Sequence, residues 1–176
     1  MSEHHEKNNN SQENVKKTKK DKIVTAVIIL LTVFIIGYNL FSYYAPNIML
    51  PGKTFDKVSG VDPFNGRNTT INFPDGKVIV NVWATWCGSC VKELHVFDKF
   101  SSKTKVVGVL KKPYDVRGFS RSRVRYRNVV ADDRFFDDFY ISTLPTTILV
   151  KDGAIDKVYV GPVTEKILSD WLASNE

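Results

Sequence analysis

No charged residue occurs between Ile23 and Gly52. The first part of that stretch, residues 23–41, is hydrophobic all round and has no polar face, which leaves it few ways to fold. About 20 apolar residues wound as a helix cross the ~30 Å hydrocarbon layer of a membrane, so the sequence predicts a transmembrane anchor over 23–44. Tyr38, Phe41, Tyr43 and Tyr44 make an aromatic fringe suited to the far interface. Lys16, Lys17, Lys19, Lys20 and Lys22 crowd the near side, and no positive charge follows the run until Lys53. The positive-inside rule then sets the N-terminus in the cytoplasm and everything after Tyr44 across the membrane. Two other readings compete with an anchor. A cleaved signal peptide lacks a clear small-x-small cleavage site here, and a buried core helix would show a polar face.

Around this run the chain divides by composition. Residues 1–22, rich in Asn, Gln, Lys and Glu without hydrophobic periodicity, are expected as a disordered cytoplasmic tail. Residues 45–68, punctuated by Pro46, Pro51, Gly52, Gly60, Pro63 and Gly66, are expected as a linker and extended lead-in. Residues 69–176 carry the folded domain. Formal net charge is +6, but beyond the uncharged stretch nineteen Lys and Arg face fifteen Asp and Glu. That excess is mild and no nucleic-acid motif appears, so no nucleic-acid partner is expected.

The folded part alternates. Residues 69–73 predict a short strand. Residues 77–83, β-branched and almost wholly apolar, predict a central buried strand. Helical spacing follows from 87 to about 101. Then come a strand at 105–110, a short helix within 114–124, a strand at 128–131 and a short helix at 132–140. Strands 146–151 and 154–160 meet at Asp152-Gly153, a strong hairpin signal. An amphipathic helix within 162–173 closes the chain. Alternating strands and helices imply an α/β domain with a parallel sheet core, an antiparallel hairpin at one edge and helices on both faces.

The only two cysteines sit at Cys87-Gly88-Ser89-Cys90, directly after the buried strand, where a helix opens. A bridge closing so small a loop constrains the unfolded chain very little, so the pair reads as reactive rather than structural. The first thiol lies at the positive end of the helix dipole, which favours its thiolate form. A tetrahedral zinc site would need four ligands. The chain has no second cysteine pair, and His95 is the only histidine of the folded part.

Trp83-Ala84-Thr85-Trp86-Cys87-Gly88-Ser89-Cys90, between a buried strand and a helix, resembles the active site of the thioredoxin superfamily, and Thr143-Leu144-Pro145-Thr146-Thr147 stands where that family carries its cis-proline. The resemblance runs from about Leu50 to the C-terminus. Asn81-Val82-Trp83-Ala84-Thr85-Trp86-Cys87, Leu50-Pro51-Gly52-Lys53 and Val106-Val107-Gly108-Val109 are similar to the membrane-tethered branch that serves cytochrome c biogenesis, the DsbE/CcmG kind.

The resemblance implies a thioredoxin-like fold and a thiol:disulfide oxidoreductase without cofactor or metal. Its catalytic pair would be Cys87, the nucleophile on the more exposed side of the helix start, and Cys90, buried behind it. Trp86, Leu144 and Pro145 would bind the substrate. The implied partners are protein thiols and disulfides, among them apocytochrome c or its assembly factors, and a membrane thiol-reductant transporter as electron donor. The implied place is the cytoplasmic membrane, with the catalytic domain in the periplasm. Where thioredoxin itself has a buried Asp, this chain has Asn81, so proton exchange with Cys90 falls to another group or to water. Trp83 reads as core.

Alternatives remain at this stage. The chain could act as a disulfide oxidase or isomerase of secreted proteins, or as a copper-handling assembly chaperone holding Cu(I) on soft thiolates. Glu93 reads as helix-surface charge, with proton transfer as the second reading. Arg117, Arg121, Arg123, Arg125 and Arg127 read as a solvated edge, or as a contact for an acidic partner or lipid headgroups.

Overall fold

The computed structural model describes residues 3–174, with side chains from Lys20 onward. The first element is a long helix, α1 (Glu3–Met49). The disordered tail expected at 1–22 is helical here from Glu3. Glu, Gln and Lys are good helix formers, and propagation from a formed helix is far easier than nucleation. Residues 20–49 form a 30-residue helical span whose most apolar 18-residue stretch has a mean hydropathy of 2.5, long and apolar enough to cross a membrane. It contains the whole of the anchor expected at 23–44.

The chain divides into two compact units, Met1–Phe41 and Ser42–Glu176. In the second unit, the Tyr43 hydroxyl donates to the Val160 carbonyl at 3.2 Å and the Ser142 hydroxyl to the Ser42 carbonyl at 3.1 Å. The last turns of α1 are thereby tied into the domain.

That unit is built on one seven-stranded sheet. In chain order its strands are β1 (Lys57–Val61), β2 (Asn68–Asn72), β3 (Lys77–Trp83), β4 (Lys105–Leu110), β5 (Arg127–Val130), β6 (Thr146–Lys151) and β7 (Ala154–Val160). Across the sheet the order is β2-β1-β5-β4-β3-β6-β7. Strands β3, β4 and β5 run parallel, and β6 and β7 turn antiparallel at one edge. The helices between them are α2 (Gly88–Phe100), α3 (Val116–Ser122), α4 (Asp133–Asp138) and α5 (Glu165–Ala173). Asp115, Asp132 and Thr164 cap α3, α4 and α5 by accepting from their first free amides.

The period-2 alternation of the strands sorts the core into two faces. Ile79, Trp83, Val106, Leu110 and Leu149 meet Leu94, Phe97 and Phe100 of α2, Phe119 of α3 and Leu168 of α5. Val78, Val80, Val82, Val107, Val109 and Ile148 point the other way, onto Leu50, Phe55, Phe136 and Ile141.

The linker and extended lead-in expected at 45–68 are extended in part and packed rather than free. Leu50, Phe55 and Val58 are buried, and Lys57–Val61 is a strand paired along its whole length with β2. Only Val58 of that strand is fully buried, so it carries almost no alternation. Its pairing partner, not its own composition, makes it a strand.

Candidate active site

Strand β3 is buried along its length and delivers the chain at Trp83 to a tight turn, where the Cys87 amide donates to the Ala84 carbonyl at 3.2 Å. Cys87 is the N-cap of α2 with extended backbone (φ −85°, ψ 101°), and its Sγ accepts from the Cys90 amide at 3.2 Å. That amide is one of the free donors every helix start leaves over. It offers a hydrogen bond to sulfur where a negative charge would develop on reduction. The Ser89 hydroxyl lies 3.4 Å from the same sulfur. Cys87 and Cys90 are joined as a disulfide, with Cα atoms 5.2 Å apart. Cys90 is fully buried and Cys87 keeps 8 % of its surface, so only the first sulfur is open to attack from outside.

Trp83 and Trp86, three residues apart, have opposite fates. Trp83 is fully buried and its indole N–H donates to Asn128 Oδ1 at 2.9 Å. Asn128 is fixed in turn by donating to the Tyr126 carbonyl at 2.8 Å. Gly108 makes room for this bond, because a Cβ there would sit 1.7 Å from Asn128 Oδ1. Trp86 is 57 % exposed beside Cys87. Thr85, between the tryptophans, accepts from the Asp115 amide at 3.1 Å and so ties the start of α3 to the cysteine turn.

The peptide bond Leu144–Pro145 is cis, and so is Lys112–Pro113, which the sequence reading did not single out. Thr146, the next residue, pairs with Val82. This register sets the Leu144-Pro145 bend against the end of β3, from which the cysteine turn departs. Leu144 is half-buried and packs into the apolar cluster that holds both cysteines. Pro145 is buried, and its carbonyl accepts from the Gly161 amide at 2.9 Å. The structure thus gathers Trp86, Cys87, Cys90 and Leu144 at one end of the sheet.

Glu93 corrects the reading of it as surface charge. It is buried, with 4 % of its surface exposed. Oε2 accepts from the Val163 amide at 2.7 Å, at the entry to α5, and Oε1 has no partner among the described residues. Burial pushes its carboxyl up to about 7, against the pull of the Val163 hydrogen bond. The signal was in the spacing. Cys90, Glu93, Phe97 and Phe100 fall on one helical stripe, and all four are buried. A carboxyl titrating near neutrality one turn from a buried sulfur can take up or give back a proton at working pH.

Asn81, fully buried, donates to the Tyr126 hydroxyl at 2.9 Å and leaves its Oδ1 without a partner among the described residues. The Tyr126 phenol is pushed above its ordinary range, chiefly by burial. His95 is exposed. Among the described residues no three His, Cys, Asp or Glu side chains gather as a metal site would require.

A sheet of this order, with paired cysteines at a helix start, defines a class, the thiol:disulfide oxidoreductases. The sequence profile of the thioredoxin family matches residues 64–174, and the chain belongs to that family. Among its relatives, the sporulation thiol-disulfide oxidoreductase A of Bacillus subtilis is 26 % identical over 157 residues, covering 81 % of this chain and 95 % of the relative. The thiol-disulfide oxidoreductase ResA of Bacillus subtilis is 33 % identical over 119 residues, covering 61 % of this chain and 66 % of ResA. A solved secreted disulfide oxidoreductase of Mycobacterium tuberculosis, described as homologous to E. coli DsbE, superposes with a TM-score of 0.54. At 14 % identity it covers 66 % of this chain and 94 % of its own, and it shows the shared fold alone.

Proposed function

We propose that this chain is a membrane-anchored thiol:disulfide oxidoreductase working outside the cytoplasm, and that it reduces disulfides during cytochrome c maturation. One observation carries the reading: a nearly buried sulfur caps a helix under that helix's own amide, bonded to a second sulfur wholly inside the protein.

Cys87 and Cys90 are the catalytic pair. In the reduced protein the Cys87 thiolate attacks one sulfur of a client disulfide. The client S–S bond breaks, its other sulfur leaves as a thiolate, and a mixed disulfide joins Cys87 to the client. Cys90, after giving up its proton, attacks Cys87 Sγ and expels the second client thiolate. The client gains two electrons. Of the two protons its thiolates take up, one is the proton Cys90 gave up and the other comes from solvent, where Cys87 lost its own on forming the thiolate. The protein is left with the Cys87–Cys90 bond. Glu93, buried one turn further along α2 with its Oε1 unpartnered among the described residues, would accept the Cys90 proton. A membrane thiol-reductant transporter then returns the electrons.

Trp86, Leu144 and Pro145 form the substrate-binding rim, the backbone of Leu144 pairing with an extended client strand. Residues 23–44 anchor the chain with the N-terminus in the cytoplasm and the catalytic domain in the periplasm. The lysine cluster before the span and the absence of charge after it support this orientation.

Trapping free thiols in growing cells with an alkylating mass tag tests the direction of flow. A reductase keeps the pair reduced. A pair held oxidised would make it a disulfide donor instead. Loss of haem-bearing cytochrome c in a deletion strain, restored by added dithiothreitol, is expected for the maturation role. Unchanged cytochrome c would remove that role and leave the exchange chemistry standing.

A further inference from the structure

The formal charge of +6 on this chain is also the net charge of one 17-residue segment. Residues 111–127 contain two Lys and five Arg against a single Asp, and the rest of the chain balances. That segment is bound to the redox turn. It enters α3 at Asp115, whose amide is held by Thr85, and α3 packs through Phe119 on Trp83, ring centres 6.0 Å apart.

Between α3 and the cysteine turn lies an open groove of about 370 Å³, lined by Trp86, Pro113, Tyr114, Asp115, Gly118 and Arg121. Its apolar walls are the 57 % exposed Trp86 and the half-buried Tyr114. Its one carboxylate is already committed. Asp115 accepts from the amides of Arg117 and Gly118 at 3.0 and 2.8 Å and pairs with Arg121 at 3.6 Å, well exposed.

The remaining arginines are unneutralised. Arg117, Arg123, Arg125 and Arg127 are exposed and form no ion pair among the described residues. The nearby Asp98 carboxylate accepts from the backbone amide of Arg125 at 2.9 Å. Arg123 has φ 54°, and its left-handed turn ends α3. From there the chain alternates, with Arg125 and Arg127 outward and Tyr126 and Asn128 buried. Arg125 and Arg127 border a second depression, of about 260 Å³, beside the exposed Phe64; its one acid, Asp62, accepts from the Phe64 and Asn65 amides and pairs with neither arginine. A crowd of guanidinium groups on one short segment repels itself, and binding a carboxylate on two donors relieves it.

We propose that this face is the client-docking surface and that it selects polypeptides with an acidic stretch next to the reactive disulfide. An apolar client side chain lies between Trp86 and Tyr114, and client carboxylates meet the unpaired, exposed Arg117 on the same helix and compete with Asp115 for Arg121, whose 3.6 Å pair is long and exposed. The arginines beyond Phe119 continue the same track. The inference rests on the exchange reading and adds to it a class of client.

Three synthetic peptides with the same internal disulfide, flanked by Asp, Asn or Lys, distinguish the possibilities. The full chain, reduced and held in phosphatidylcholine nanodiscs, is mixed with each, and oxidation of its cysteine pair is timed. Each rate constant is divided by that peptide's own rate with dithiothreitol. The acidic peptide is expected to react about 10-fold faster than the basic one at low salt, with the difference shrinking severalfold at high salt. In a double Arg117→Glu, Arg121→Glu chain the order reverses, and in an Arg117→Gln, Arg121→Gln chain the rates converge. Equal normalised rates for all three peptides would overturn the proposal while leaving exchange intact. Equal rates that change only when phosphatidylglycerol replaces phosphatidylcholine would give the arginines to the lipid surface, and overturn it too. Oxidation by none of the peptides would overturn the exchange reading and this one with it.

Discussion

Replacing Glu93 by Gln should alter how stability depends on pH. The buried carboxyl is raised from 4.5 to about 7 because burial disfavours its charged form. The folded chain therefore holds this proton more tightly than the unfolded chain does. Its contribution is complete below about 4.5 and is lost as pH rises through about 7. A shift of this size corresponds to about 3–4 kcal/mol in full, of which about 2–3 kcal/mol is lost between pH 5 and pH 8. Gln keeps the shape and can still accept from the Val163 amide, but it does not titrate. Asp132 and Glu165 are exposed, and both are lowered by hydrogen bonds, to Arg134 and Lys99 respectively. They are common to both proteins, so the difference between them isolates Glu93. Urea unfolding of the oxidised chain in mild detergent, followed by tryptophan fluorescence, should show the Gln variant gaining about 2–3 kcal/mol on wild type between pH 5 and pH 8. A carboxyl carbon-13 titration should place the Glu93 midpoint near 7. A stability difference that stays constant with pH, or a midpoint near 4.5, would refute the reasoning.

Other substitutions probe the scaffold and the rim. Phe97→Ala, deep in the cluster beneath the cysteines, should cost about 3–5 kcal/mol by denaturant unfolding. Gly108→Ala should destabilise by about 1–3 kcal/mol through overpacking and shift tryptophan fluorescence, because the new methyl displaces Asn128 from Trp83. Trp86→Ala should change stability by no more than about 0.5 kcal/mol, since the side chain is mostly exposed. It should still raise KM for a protein client severalfold in a reductase assay.

Much of this architecture is legible in the residues. Strands β3, β4, β6 and β7 have the expected bounds because each is either a continuous apolar run or half of a hairpin fixed by Asp152-Gly153. The cysteine turn is legible because both thiols stand together in the chain. What stayed hidden depends on distant partners. Strand β1 has too little alternation to announce itself and exists through β2. Glu93 looks like one more charge on a helix until its position on the Cys90–Phe97 stripe is matched with the segment leading into α5, which arrives seventy residues later and supplies the Val163 amide. The arginines read as an edge because nothing local says that Thr85 clamps their helix to the redox turn.

The most direct measurement is a trap. With Cys90 replaced by Ala, the mixed disulfide on Cys87 has no internal sulfur to resolve it. Non-reducing gels of membranes from cells bearing this variant should show higher-mass adducts that dithiothreitol dissolves and that vanish when Cys87 is also replaced. Adducts that persist without Cys87, or none at all while the protein is present and folded, would mean that this sulfur does not exchange bonds with client proteins.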